Sequence, residues 1–342
     1  MNTPPTTLKA PTLKAPTLKA VALGGGHGLH ATLSALRLLT DDVTAVVTVA
    51  DDGGSSGRLR RELGLLPPGD LRMAISALAA DDELGRRWRT LVQHRFGGVG
   101  ALAGHAVGNL LIAGLIDTLG DPVAALDAVA GLLGVRGRVL PMCTEPLDIG
   151  ADVTGLGADP ARAHRIRGQV AVASTPGRVQ RVWLVPDQPR ACPDALAAVH
   201  AADVVVLGPG SWFTSVLPHL LVPELRDALI DTAARRIVVL NLAPEPGETA
   251  GFSPEQHLAV LCEHAPALRV DAVLADVDAV PVPDRLHSAA TAILSPGGSV
   301  HLAPVAASPI EPSHDPVALA AAIAAVVADV ATTPDVAAEG RT

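Results

Sequence analysis

Residues 51–58, Asp-Asp-Gly-Gly-Ser-Ser-Gly-Arg, place two acids, three glycines, two hydroxyls and one arginine side by side. Glycines reach positive φ without strain, so successive backbone N–H groups can converge on an anion. Ser55 and Ser56 add hydroxyl donors. Arg58, Arg60 and Arg61 follow with positive charge, and Asp70 stands just after the rigid Pro67-Pro68-Gly69 turn. Together Asp51, Asp52 and Asp70 could hold a hard cation such as Mg²⁺ against a diphosphate through carboxylate oxygens. The plainer reading is a Gly/Ser turn entering a surface helix, with Asp70 as the N-cap of a helix from Leu71 to Ala80. Both readings are open at this point.

Two further glycine loops repeat the pattern. Leu18 to Leu23 reads as a strand, and Gly24, Gly25, Gly26 and Gly28 follow at once. Gly26, Gly28 and Ala31 satisfy G-x-G-x-x-A, which seats a phosphate on the N-terminus of the next helix. No Lys-Ser/Thr pair follows, so this is not a Walker A loop. Asp203 to Leu207 is a second buried run, ending in Gly208-Pro209-Gly210-Ser211-Trp212-Phe213-Thr214-Ser215. That stretch is either a third anion-binding loop or a tight turn with a Ser/Thr cap. The distance from the first loop to Asp51 and Asp52 also suits the ribose-binding acid of a nicotinamide enzyme. Two glycine cradles side by side fit a diphosphate better. His105 and Asn109, one helical turn apart in an apolar stretch, either lock the core or face a ligand together.

The elements that must position these groups are β-branched runs. Val43 to Val49, Asp203 to Leu207, Arg235 to Leu240 and Val273 to Ala275 read as strands of a parallel sheet buried on both faces. Each trails polar or glycine residues, including Asn241 and Thr249 after the third. The class expected is α/β, Rossmann-like and doubly wound, with an extended crevice at the carboxyl ends of the strands. From Met142 to Pro186 the chain is Gly- and Val-rich and reads as an inserted β-subdomain. Its antiparallel strands are expected at Asp148 to Val153, Gly168 to Ala173 and Val179 to Leu184, with Arg162, Arg165 and Arg167 on the surface. Arg86, Arg87, Arg89 and Arg95 read as the solvated face of a charged helix. The APTLK repeats within residues 1–17 form a disordered extension, residues 18–330 a single domain, and residues 331–342 a flexible tail.

Composition narrows the partners. The chain is 49% hydrophobic but 2% aromatic, so its core is built from Ala, Val and Leu and few rings remain for stacking on bases. A net charge of −9 excludes non-specific nucleic-acid or anionic-membrane binding. Cys143, Cys192 and Cys262 are odd in number and widely spaced, as expected of reduced thiols in a cytoplasmic protein. Val317 to Ala328, an uninterrupted apolar run, is too short to span a bilayer, and no membrane insertion is expected.

The segments ALGGGHGL, VTVADDGGSSGRLRRELGLLPPGDLR, GHAVGNLL, LGPGSWFTSVLPHLLVPEL and NLAPEPGETAGF resemble the gluconeogenesis factor family, itself related to 2-phospho-L-lactate transferase. The resemblance runs from about Leu18 to Asp315. It implies a cytoplasmic protein that binds UDP-sugars and serves cell-wall assembly and cell shape during growth on gluconeogenic carbon sources, alongside cell-envelope synthesis proteins. The related transferases imply a homodimer and an alternative activity, Mg²⁺-dependent transfer of a phospho-group from a nucleotide diphosphate donor. Carried onto this chain, Gly25, Gly26 and Gly28 would cradle phosphate, and Asp51 and Asp70 would hold metal. Asp52, Gly53, Gly54, Ser55, Ser56, Arg58, His105 and Asn109 would line the ligand. So would Gly208, Gly210, Ser211, Thr214, Ser215, Asn241 and Thr249. Met73 and Ser313 depart from the family pattern.

Overall fold

The computed structural model describes residues 18–308 and 311–328, so the expected N-terminal extension and C-terminal tail lie outside the described residues. Seven strands form one sheet: β1 (Ala20–Gly24), β2 (Val43–Val47), β3 (Arg138–Pro141), β7 (Val204–Leu207), β8 (Arg235–Val239), β9 (Val270–Asp276) and β10 (Leu294–Ala303). Their order is β3-β2-β1-β7-β8-β9-β10, and every neighbouring pair is parallel. The chain therefore builds outward from β1 in one direction, then returns and builds outward from β7 in the other. Right-handed crossovers running in opposite directions put helices on opposite faces, and a crevice opens where the direction reverses. That switch point lies between β1 and β7.

The sequence forms these strands because residues able to line both buried faces are Ala, Val and Leu. All five residues of β1 and all four of β7 are buried. β10 is the exception: LSPGGSVHLA carries Pro and two glycines and reads as a loop, and its pairing with β9 shifts register between Leu294 and Ser299. It is a strand because β9 offers it an open edge, which is a tertiary cause.

Five helices shape the site: α1 (Gly26–Leu36), α2 (Gly54–Leu63), α3 (Pro68–Leu78), α4 (Glu83–Gln93) and α5 (Val107–Leu119). Arg86, Arg87 and Arg95 are exposed as expected, but Arg89 is half-buried and donates to the Ala79 carbonyl at 2.9 Å. Among the described residues no helix is long and apolar enough to cross a membrane.

The expected inserted strands appear as a three-stranded antiparallel sheet: β4 (Asp148–Thr154), β5 (His164–Arg167) and β6 (Arg178–Val185), in the order β5-β4-β6. One expectation fails. Gly168 to Ala173 is not a strand; the strand is the preceding His164–Arg167, and Gln169–Ala173 is a short helix. Gly168 turns the chain at φ 109°, which ends the pairing and points the Val170 N–H at Asp52. Arg162, Arg165 and Arg167 are exposed.

Candidate functional site

Three glycine-bearing loops meet at the switch point. β1 runs into Gly25 and Gly26, β2 leads to residues 51–57, and β7 leads to residues 208–215. Close approach sets two of the glycines. A Cβ on Gly28 would run into the Pro209 carbonyl, so α1 and the third loop touch backbone to backbone. A Cβ on Gly25 would lie 2.6 Å from Asp70 Oδ2, 2.6 Å from Thr48 Cγ2 and 3.2 Å from Ser215 Oγ. Gly25 is thus the point where all the segments converge. Buried Thr32 fastens α1 to the third loop by donating to the Gly208 carbonyl at 2.9 Å.

The loops do not all end as the sequence suggests. α1 and α2 begin at Gly25 and Gly53 with no side-chain cap, whereas α4 is capped by Asp82 and the helix Pro254–His264 by a Ser253–Gln256 capping box. Unpaired N–H groups at such ends attract anions. Trp212–Val216 forms one π-helical turn rather than a capped tight turn, and Ser211 makes no cap bond there. Single π turns accompany functional sites.

Asp51 and Asp70 come together; Asp52 does not join them. Asp52 Oδ1 accepts from Val170 N–H at 3.0 Å, so its carboxylate faces the inserted sheet and the expected three-acid cation site is absent. Asp51 accepts from the Gly53 N–H at 2.8 Å, and burial raises its pKa. Asp70 is not an N-cap: α3 begins at Pro68 after Pro67, which places Asp70 in the first turn. Its carboxylate accepts from the Gly26 N–H, yet burial first and the charge of Asp51 second push its pKa up to about 7.

Behind the pair lies a buried polar chain. Ser55 Oγ is 2.9 Å from His105 Nδ1 and accepts from Asn109 Nδ2 at 3.0 Å, and Arg72 Nε donates to Asn109 Oδ1 at 2.8 Å. His105 precedes α5, so it and Asn109 do not share a helix; both converge on Ser55. Arg72 was not among the candidates, yet it is buried with Nη1 unpaired, and burial lowers its pKa to about 10. Gly108 packs against it: a Cβ there would come 2.9 Å from Arg72 Cδ. Arg58 is half-buried and donates to the Ala103 carbonyl at 2.6 Å, so it also fastens a loop.

On the β7–β8 side, Asn241 holds the third loop. It accepts from Gly210 N–H at 2.8 Å and donates back to the Gly210 carbonyl at 2.9 Å. Thr249 is fully buried and accepts from the Glu245 N–H at 2.8 Å. Ser211 donates to Glu245 at 2.6 Å. Glu245, with His27, His30, Asn241 and the glycines at 28 and 210, borders a cavity of about 390 Å³. Glu248 beside it is buried, with the Ser211 and Thr214 hydroxyls and the Glu245 carboxyl as neighbours. Burial, then the charge of Glu245, raises the Glu248 pKa.

Residues 20–295 match the family model of 2-phospho-L-lactate transferase CofD. A Mycobacterium tuberculosis protein carrying the gluconeogenesis factor name is 60% identical over 311 residues, 90% of each chain. The chain belongs to the gluconeogenesis factor group of the CofD family. The Bacillus subtilis gluconeogenesis factor is 36% identical over 258 residues, 75% of this chain and 78% of its own. A crystal structure from Bacillus halodurans superposes with a TM-score of 0.77 at 32% identity, covering 90% of this chain and 99% of that one. In this CofD-family chain the matched region spans β1 to the start of β10, and so takes in all three glycine loops.

Proposed function

We propose that this gluconeogenesis factor binds a UDP-sugar in the crevice between β1 and β7 and acts as a regulatory protein of cell-wall assembly and cell shape. The observation that carries the reading is the convergence at Gly25: the start of α1, the Asp70 carboxylate and Ser215 of the third glycine loop meet there, and Asp51 adjoins Asp70. Donors on both flanks suit a diphosphate, and a 390 Å³ cavity beside them suits the rest of a nucleotide. Binding orders the loops, and envelope-synthesis proteins read the changed surface.

Asp51 and Asp70 fit a Mg²⁺. That ion binds one or two carboxylates together with waters and substrate phosphates. Among the described residues no group of three or more His, Cys, Asp or Glu could hold a metal. The ion therefore arrives with the diphosphate, whose charge it neutralises. A second reading, transfer of a phospho-group from a nucleotide diphosphate donor, is favoured by the raised pKa of Asp70 and by the family description. In that case the chain contributes positioning and electrostatics alone.

A thermal-shift panel separates them, because a ligand of the native state raises the melting temperature. UDP-N-acetylglucosamine and UDP-glucose are compared with GDP, GTP and NAD, each with and without Mg²⁺. Stabilisation by UDP-sugars with no nucleotide product supports the sensor. Metal-dependent release of a nucleoside phosphate, lost in Asp70→Ala, supports the transferase; stabilisation by none removes both.

A further inference from the structure

The inserted sheet presents two unlike faces. Residues opposite one another across strands share a face, and successive residues along a strand alternate between faces. Ile149, Ala151 and Val153 of β4, with Val182 and Leu184 of β6, point inward and are buried. On the outer face Asp152 lies opposite Arg165 of β5 and Arg181 of β6, Gly150 lies opposite Arg167 and Trp183, and Thr154 lies opposite Arg178. These arginines are all exposed, in a chain whose net charge is −9. We propose that this outer face is a docking surface for an acidic segment of a partner protein. The proposal rests on the sensor reading above for its purpose, and it names the surface that a partner reads.

The face holds more positive charge than it neutralises. Arg167 Nε donates to Asp148 Oδ2 at 2.9 Å, and Arg165 Nε donates to Asp152 Oδ1 at 3.2 Å. Those two carboxylates are thereby occupied, and Asp148 is shared with Arg60 of α2 as well. Among the described residues Arg178 and Arg181 have no carboxylate partner. A guanidinium presents a planar fork of donors that takes a carboxylate through two parallel bonds, and arginine is enriched among the residues that anchor protein partners. Like-charged surroundings elsewhere on the chain steer an acidic segment toward this face.

The face is also tied to the glycine loops. Arg60 lies on α2, directly after residues 51–57, and its ion pair with Asp148 joins that helix to β4. Asp52 of the same loop accepts from the Val170 N–H at 3.0 Å, in the short helix that follows β5. A shift of the second glycine loop is thus passed to the sheet at two points.

The chemistry favours protein over nucleic acid. Trp183 is the one ring on the face, and it lies against Gly150, where a Cβ would come 2.3 Å from the ring. The Arg165 guanidinium carbon sits over it, 5.7 Å from its centroid. The ring therefore offers no open surface for a base to stack on. Two unneutralised arginines are also few beside the run of phosphates that a nucleic-acid site must cover.

The test is fluorescence anisotropy of a labelled oligoglutamate peptide titrated with the full chain in the absence of nucleotide, beside an oligoserine peptide and a single-stranded oligonucleotide of the same length. Saturable binding of oligoglutamate is expected at about 20 mM salt, weakening about tenfold or more at about 200 mM as exposed charges are screened. Arg165→Glu combined with Arg181→Glu is expected to weaken it about tenfold, whereas Arg86→Glu with Arg87→Glu, the same charge change on α4, stays within about twofold of wild type. Arg181→Glu alone breaks no ion pair and is expected to cost about threefold, so a double variant that fails to fold leaves the test intact. Three results overturn the proposal: no saturable binding of oligoglutamate, equal weakening by the two double variants, or oligoserine or the oligonucleotide bound at least as tightly as oligoglutamate. None of these touches the nucleotide reading, which the thermal-shift panel tests separately.

Discussion

The two sides of the switch point each carry a pair of carboxyl groups, and the pairs are built in opposite ways. Asp51 and Asp70 accept from the N–H groups of Gly53 and Gly26. Those donors oppose, without cancelling, the burial that raises the pKa of both. Glu248 lacks any such donor and adjoins Glu245. Burial and the neighbouring carboxyl raise its pKa. Burial is the largest cause of the raised pKa on both sides, so the two pairs differ in their neighbours: backbone N–H groups on one side, hydroxyls and a second carboxyl on the other.

Perturbations sort by how much of this arrangement they remove. The largest effect is expected from Gly28→Ala, which separates the two sides by driving a methyl group into the Pro209 carbonyl. Overpacking of this kind costs about 1–3 kcal/mol of stability. Chemical denaturation should show that loss, and UDP-sugar binding should disappear in the protein that remains folded.

Asp70→Asn strikes the Asp51 and Asp70 side alone. It removes the repulsion with Asp51, so the free protein should be no less stable at neutral pH, while Mg²⁺-dependent ligand binding should fall about tenfold or more, as for ligands of a metal shell. Titration with and without Mg²⁺ checks it. A fall of equal size without Mg²⁺ would mean that Asp70 serves the loop and not a cation.

Glu248→Gln sharpens the other side through pH. The unfolded chain releases this proton near its ordinary pKa of 4.5, whereas the folded protein keeps it to about pH 8. Between those values the folded state binds more protons, so the contribution of Glu248 to stability declines as pH rises. The variant carries no such proton. Its melting temperature relative to wild type should therefore be more favourable at pH 8 than at pH 5, and a difference independent of pH would contradict the raised pKa of Glu248. Smaller still is Asn241→Ala, which removes two hydrogen bonds to Gly210 and should cost about 1–2 kcal/mol, with weaker binding in proportion.

Much of this was legible in the sequence, and what was not has tertiary causes. The strand runs of Val, Ala and Leu and the glycine loops at their ends declare the parallel sheet and its crevice. Gly25 and Gly28 are identifiable as close-approach positions from pattern alone. Asp52 is not separable from Asp51 by sequence, because its partner Val170 lies 118 residues away in an inserted helix. His105 and Asn109, polar among apolar residues, leave a core lock and a ligand contact equally open in the sequence, and Asn241 and Thr249 enter only through the family resemblance. The hydrogen bonds these four make to neighbouring loops depend on the fold and not on any local pattern. Arg72 and Glu248 escaped because their distinction is a buried ionisable side chain, and burial is a property of the folded chain.

The most direct test of the central claim is calorimetric titration of UDP-N-acetylglucosamine with Mg²⁺ into the wild-type chain and into Gly28→Ala. Saturable binding by wild type with a Kd below about 1 mM, absent from a folded Gly28→Ala protein, is the result expected for a diphosphate held where the loops meet. No binding by wild type, or equal binding by both, would contradict it.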